Sequence, residues 1–543
     1  MRAIGMLLWL GACASNAVDG GGASLGDAGG VGCLSSNECP TGTFCNDFGQ
    51  CEAPSGMGSG SSSPPETEVD LGSPISAQRY VYVAMTAENE LARIDGSTLA
   101  VTATPVGASP RDVATINGSD GAVVLDAQNG TATIVRPDPN GDPSGDKVKV
   151  LATLQHLNRI DIDPTGRYAV IWFDLVKAVA NGGLTGIGSF QDVTVVGLQP
   201  GAEHAVNLTV GFRPRAVQFD AAGNRGYVIT QDGVSVIDLA SAAYGTPTIV
   251  PPLPVADPSV SVDDLEVQVF PSGEYAAVRQ AGLAGIRVVS VGHTNPGQAT
   301  TLPLTSAVTD IDLYGSRLYA MERDAKKLAV IDVPAMTVNT IDLSDGAVGS
   351  IQLSADGTKA LTFTNATLDP RITMINLATL AHTTWPLKKG VRAVLMSPSS
   401  TSALVVNSKE PGDPSTADTV EEYIARSYGY TVLDLASGFG KLQLTPVDAG
   451  SFAYALDGSK AYVALDGGDD ATATRALQVI TIQNGVVETK QLGSPPSSVG
   501  VLPGVGIAFT AQRHPLGRVS FIDITTDAMR TVTGFDLNSH VVN

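Results

Sequence analysis

Seven polar side chains stand where short loops run into apolar strands: Arg111, His156, Asn158, Arg159, Arg215, Arg392 and His540. They fall in the stretches Ser109-Pro-Arg-Asp112, Gln155-His-Leu-Asn-Arg159, Arg213-Pro-Arg215, Val391-Arg392 and Ser539-His540. The arginines draw notice because the chain carries 33 basic against 54 acidic residues. A guanidinium fork grips carboxylate or phosphate oxygens bidentately, so a ring of such groups could hold a carboxylate, a phosphate or an acidic sugar. The same charges have a second use. Asp112, Asp264, Glu266 and Asp310 sit at similar places, and mixed-sign rings tend to pair among themselves. Mutual neutralisation is the favoured expectation.

A second group is Asp138, Asn140, Asp142, Ser144 and Asp146, with oxygen-bearing side chains at alternate positions. Calcium loops use that alternation to point successive oxygens at one ion, so calcium is possible here. Lys149 stands where the far acidic ligand of an EF-hand loop would be, which favours a solvated polar turn. No cofactor is otherwise expected. The catalytic pattern His-Glu-x-x-His and a phosphate loop ending Gly-Lys-Ser/Thr are absent from the sequence. The six histidines do not cluster along it. His156 and His540 could reach a common rim and do acid–base work there.

What must position these residues is a repeat. Asp163-Pro-Thr-Gly-Arg-Tyr-Ala-Val returns as Asp220-Ala-Ala-Gly-Asn-Arg-Gly-Tyr-Val, Phe270-Pro-Ser-Gly-Glu-Tyr-Ala-Ala-Val, Ser354-Ala-Asp-Gly-Thr-Lys-Ala-Leu and Asp457-Gly-Ser-Lys-Ala-Tyr-Val. Each copy is a tight turn ending near Gly, then a short strand. Recurrence decides the fold before any local propensity does. Third strands close on Asp95, Asp238, Asp332, Asn376, Asp434 and Asp523, where a short polar side chain caps the next turn. Strands counted in sets of four give an all-β protein, a β-propeller of four-stranded blades. About ten sets are present, with seven or eight blades possible. The chain opens at Arg79 with a second strand, and Leu537–Asn543 resembles an inner strand without partners, so joining the two would close the ring. In such blades the fourth-to-first and second-to-third loops share one face. The arginine-bearing loops and two long insertions, Leu175–Phe190 and Ser408–Gly429, therefore meet there. Within the second, Asp418-Thr-Val-Glu421 predicts a helix capped by Asp418 and running to Arg426. Its apolar stripe Val420, Tyr423 and Ile424 is expected to pack on the blade beneath, the alternative being contact with a partner.

The run Tyr80-Val-Tyr-Val-Ala84, then Leu91-Ala-Arg-Ile-Asp95, then Val106–Pro110 resembles the YVTN family of propeller repeats across most of residues 79–543. That resemblance implies the propeller. Some relatives of this kind are lactonases or dehydrogenases, so it also implies possible chemistry at the rim.

The chain has 543 residues, a formal net charge of −21, 43% hydrophobic and only 16% charged residues, with 59 Gly and 32 Pro. Abundant turn-formers and low charge suit many short strands. So negative a chain repels phosphate backbones, and nucleic acid is excluded as a partner. At the N-terminus a short apolar run precedes Leu10-Gly-Ala-Cys13, which resembles a bacterial lipoprotein signal with its lipobox. The resemblance implies residues 1–12 as a signal peptide and lipidation of Cys13. Residues 13–32 read as a flexible tether of Gly, Ala, Ser and Asp. Cys33, Cys39, Cys45 and Cys51 are evenly spaced, and an even count in an exported chain reads as a disulfide module over 33–52. Three connectivities are open, with Cys33–Cys45 and Cys39–Cys51 favoured. Zinc is disfavoured because close Cys-x-x-Cys pairs are missing. The module resembles the short cysteine-rich unit of Dickkopf-type N-terminal regions. A Gly/Ser/Pro linker, 53–78, leads to the propeller, 79–543.

The sequence thus supports a lipid-anchored protein of the cell envelope, at the outer membrane or cell surface, whose propeller binds a protein, a glycan or an acidic small molecule. The alternative is an exported lactonase-type enzyme acting on a lactone or sugar acid at the rim.

Overall fold

The computed structural model describes residues 44–45, 51–52, 66 and 76–535, apart from 87, 127, 181–189, 293 and 468–473. The signal peptide, Cys13, the tether, Cys33 and Cys39 lie outside the described residues. For the rest of the cysteine module, the backbone of Phe44–Cys45 pairs antiparallel with Cys51–Glu52. The side chains of Cys45 and Cys51, and so the disulfides, lie outside what is described.

Residues 80–533 form ten successive antiparallel sheets, each a meander in chain order. Eight have four strands and two have three among the described residues. The count of ten expected from the repeats is therefore the blade number. Inner strands run from Pro110–Thr115 in blade 2, through Arg159–Ile162, Ala216–Phe219, Leu265–Val269, Asp310–Tyr314, Ser350–Leu353, Val391–Met396 and Ala449–Tyr454, to Pro496–Leu502 in blade 10. Second and third strands such as Tyr168–Trp172 and Leu328–Ile331 are covered on both faces by neighbouring blades and so read as continuous apolar runs. Outer strands such as Met529–Thr533 are wet and read polar.

Between every two successive blades lies one apolar core. Tyr82, Leu91, Val113 and Val124 join blades 1 and 2, and Leu125, Ile134, Ile160 and Ile171 join blades 2 and 3. The series continues round to Tyr462, Leu477, Val499 and Ile522 between blades 9 and 10. Val81 and Ile94 of blade 1 then pack on Leu502, Phe509, Phe521 and Phe535. Ten cores for ten blades make one closed ring, not two. Each fully buried Leu, Ile or Phe contributes about 1.5–3 kcal/mol.

Blade 1 starts at Tyr80–Met85, the second-strand position, as expected. The segment Leu537–Asn543, expected to supply its inner strand, lies outside the described residues. In that place stands Ser76, bridged antiparallel to Val81. Its hydroxyl donates to the carbonyl of Val501 in blade 10, and its carbonyl accepts from the Thr115 hydroxyl of blade 2. Blade 4 lacks a regular outer strand for a local reason. Pro247, Pro251, Pro252 and Pro254 carry no amide hydrogen for a ladder. The segment instead makes single bridges, Ile249 to Thr209 of blade 3 and Leu253 to Val234 of blade 4.

The repeated turns behave as architecture. Gly166, Gly223, Gly273, Gly357 and Gly458 all have φ between 62° and 71°, a conformation natural to glycine. Asp163, fully buried, accepts from the amides of Thr165 and Tyr168 and so closes its own turn. The acids ending third strands do the capping expected of them: Asp95 accepts from Ser97 and Thr98, Asp332 from Ala335, Asp434 from Ser437, and Asp523 from Thr525 and Thr526. Asn376 does the same for Ala378 and Thr379. Asp238 caps the short helix Leu239–Ala243. Among the described residues no helix is long and apolar enough to cross a membrane.

Candidate functional site: the front face of the ring

The meander order puts the fourth-to-first and second-to-third loops on one face, here called the front. Most of the sequence-predicted residues arrive there. Arg111 begins blade 2 within Pro110–Thr115, but its side chain lies outside what is described, as does the whole of His540. His156 is half-buried in the loop opening blade 3, with φ 66°.

Arg159, Arg215 and Arg392 are matched to acids. Arg159 Nη1 lies 2.9 Å from Asp174 Oδ2, and its guanidinium also stacks over the Trp172 ring. Asn158 is a brace: its amide donates to the Asp174 carbonyl at 2.8 Å, and its Oδ1 accepts from the Asp174 amide at 2.6 Å. Arg215 of blade 4 pairs with Asp263 at the opening of blade 5. Arg392 of blade 8 holds Asp448, at the opening of blade 9, through two bonds of 2.7 and 2.8 Å. Neutralisation is as expected, but the partners differ. Asp112 takes Lys177 at 2.7 Å and the Ile160 amide at 2.9 Å. Glu266 takes Arg279 of its own blade at 2.7 Å.

Lower in the channel wall, polar side chains at the centres of inner strands tie blade to blade. Gln218 accepts from the Val269 amide and donates to the Val267 carbonyl, Gln268 donates to the Ile311 carbonyl, and Asp312 accepts from the Leu353 amide. Asp310 accepts from the Ile351 amide at 2.8 Å. Burial, with Glu266 nearby as a lesser cause, pushes the Asp310 carboxyl up to about 8. Burial likewise raises Asp112, Asp161 and Asp312. The ties went unremarked in the sequence, although the apolar–polar–apolar triplets Val217-Gln-Phe219, Val267-Gln-Val269 and Ile311-Asp-Leu313 carry the signal.

The second long insertion corrects two expectations. Its helix is Val420–Arg426, as predicted, but the cap is Thr419, which accepts from the Glu422 amide, while Glu422 reaches back to the Asp418 amide. The cap sits one residue later than expected. Two of the three residues of its apolar stripe are not packed on the blade: Val420 is 69% and Tyr423 47% exposed, while Ile424 is half-buried. The helix is held at its other end, where buried Lys389 donates to the carbonyls of Ile424 and Ala425. Desolvation lowers the Lys389 ammonium to about 8. Val176, Phe212, Leu368 and Leu516, on other front-face loops, are exposed too.

The stretch Asp138–Asp146 lies away from this face, on a third-to-fourth loop. Asp138 Oδ1 accepts from the Asn140 amide, Asp142 from the amide and hydroxyl of Ser144, and Asp146 Oδ1 from the Asp138 amide. Asp146 Oδ2 is 2.8 Å from the buried Arg93. Among the described residues no three His, Cys, Asp or Glu side chains converge as a metal would need.

No protein-family model matches the chain, and no curated protein matches it. Among solved structures it is similar to one titled as the eukaryotic initiation factor, at 11% identity and a TM-score of 0.45 over 84% of this chain and 96% of that one. It is similar to the dihydro-heme d1 dehydrogenase NirN in complex with DHE, at 12% identity and 0.39 over 89% and 77%. The propeller domain of Swd1 from Myceliophteria thermophila matches at 11% and 0.29 over 55% and 92%. The propeller assignment rests on the ten sheets and ten cores of the chain itself.

Proposed function

We propose that this protein is a lipoprotein of the bacterial envelope, anchored through Cys13 and held off the membrane by its tether and cysteine-rich module, whose propeller is a binding scaffold that engages its partner at the front face. One observation carries the binding part. Irregular front-face loops expose Val176, Phe212, Leu368, Val420, Tyr423 and Leu516 above a rim where Arg159, Arg215 and Arg392 are already ion-paired. Apolar side chains ringed by compensated charge suit a macromolecular contact, where aromatic and aliphatic anchors carry most of the energy. Function on a rigid ring resides in such loops. The alternative, a lactonase-type enzyme with YVTN-like repeats, draws less support: guanidinium groups that would hold a lactone or sugar acid are matched to Asp174, Asp263 and Asp448.

The anchoring part rests on the lipobox-like Leu10-Gly-Ala-Cys13 ahead of a Gly-rich tether. Its test is fractionation of cells expressing the full chain. Wild type is expected in the membrane pellet and Cys13→Ala in the soluble fraction. A Cys13→Ala protein that still pellets with membranes refutes lipid anchoring at Cys13.

A further inference from the structure

A carboxylate already sits in a built seat on the front face. Glu66 belongs to the linker, yet its side chain is 4% exposed, buried between blades 6 and 7. Oε1 accepts from Arg323 Nη1 at 3.0 Å and from the Thr364 hydroxyl at 2.7 Å. Oε2 accepts from the amides of Asn365 at 2.8 Å and Ala366 at 3.2 Å, and from the Ser350 hydroxyl at 3.5 Å. Gly349 makes the space, since a Cβ there would stand 2.2 Å from Oε1. Two consecutive amides, two hydroxyls and a guanidinium on a rigid wall are what a carboxylate needs to leave water without penalty.

Beside this seat, and sharing Arg323 and Thr364 with it, lies a recess of about 160 Å³ also lined by Lys326, Thr367, Asp369 and Arg371. Of its three cations, Arg323 holds Glu66 and Arg371 holds Asp369 at 2.9 and 2.7 Å, while Lys326 donates to the Ser344 carbonyl. In a chain of net charge −21, three cations to two carboxylates is a local excess of positive charge. Seat and recess together offer places for two acidic groups close along one chain. The linker itself reads Pro65-Glu66-Thr67-Glu68.

We propose that blades 6 and 7 form a receptor for the carboxylates of an acidic peptide, that Glu66 of the protein's own linker fills it in cis, and that an acidic segment of a partner displaces it. The proposal rests on the scaffold reading in taking the front face as the binding face, and it names the ligand class. The group now bound is a side-chain carboxylate on a polypeptide, which is why a peptide rather than a free acid is the ligand. A tethered occupant acts at an effective concentration of about millimolar. The receptor therefore reads as closed to weak ligands until the linker leaves.

The test uses the full chain and a fluorescein-labelled peptide of residues 63–70, Ser-Pro-Pro-Glu-Thr-Glu-Val-Asp, titrated by anisotropy. Glu66→Ala protein is expected to bind it at least about tenfold more tightly than wild type. Adding Arg323→Ala to that variant should cost at least about tenfold in affinity. A peptide with both glutamates replaced by glutamine should not bind. Glu66→Lys, which Arg323 repels, serves if Glu66→Ala does not give a folded protein, as judged by its melting curve. Equal binding to wild type and to the Glu66 variant overturns the proposal, as does binding indifferent to Arg323 or to the peptide's charge. Sodium acetate that displaces the peptide at the peptide's own concentrations would assign the seat to small carboxylates and overturn the peptide. The titration needs no envelope partner, so its failure is distinct from failure of the scaffold reading.

Discussion

At the scale of the residue, charge on this ring is spent internally. Arg159, Arg215 and Arg392 stood out as a possible anion site, and each is matched by an acid. Pairing of some kind was legible, because so acidic a chain offers every arginine a partner. Which partner was not, because Asp263 and Asp448 lie 48 and 56 residues from Arg215 and Arg392, one blade further on. Glu66 was invisible for the same reason at greater range: its seat is built 257 to 300 residues away. Asp310 supplies a prediction. Its ordinary value is 3.8, and burial raises it to about 8 in the folded ring. Between those values the folded state holds a proton that the unfolded chain has released, so the stability due to this group falls as pH rises from about 4 to about 8. Asp310→Asn keeps an acceptor for the Ile351 amide and removes the titration. The variant should gain at least about 1 kcal/mol relative to wild type on going from pH 5 to pH 8 in denaturant melts. A difference that does not change with pH contradicts the assignment.

At the scale of the element, the turns were the most legible part. Repetition of a tight turn ending near Gly ahead of a strand marked them as shared geometry, and their glycines all take a positive φ. The alternation period and the acidic caps then phased each blade. What the repeats did not contain was irregular structure. The fourth strand of blade 4 was expected by analogy and is displaced by prolines, and Val420 and Tyr423 of the stripe on Val420–Arg426 were expected to pack and face solvent instead. Amphipathicity tells that a helix has an apolar side, and not what covers it. Gly166 tests the turn argument. Its φ is 70°, and a Cβ would stand 2.3 Å from the Asn117 carbonyl oxygen of the preceding blade. Gly166→Ala should cost about 1–3 kcal/mol, seen as a lower denaturant midpoint with an unchanged m-value. An unchanged midpoint would mean that the turn is not locked against blade 2.

At the scale of the molecule, ten blades close into one ring through ten equivalent cores, the last joining Val81 and Ile94 to Leu502, Phe509 and Phe521. The ring is the rigid part, and its two faces differ. One carries the repeated self-capped turns, with Tyr314, Phe439 and Leu456 exposed among them. The other carries the long insertions, the exposed Val176, Phe212, Leu368, Val420, Tyr423 and Leu516, and the seat filled by Glu66. The central claim is that this second face meets the partner. Site-specific photocrosslinking in living cells tests it most directly, with the reactive group placed at Tyr423 on the front or at Tyr314 on the back. Both side chains are well exposed, at 47% and 45%, so accessibility alone does not favour either. The account predicts a discrete crosslinked species from Tyr423 and none from Tyr314. Crosslinking from Tyr314 alone, or from neither position, would contradict it.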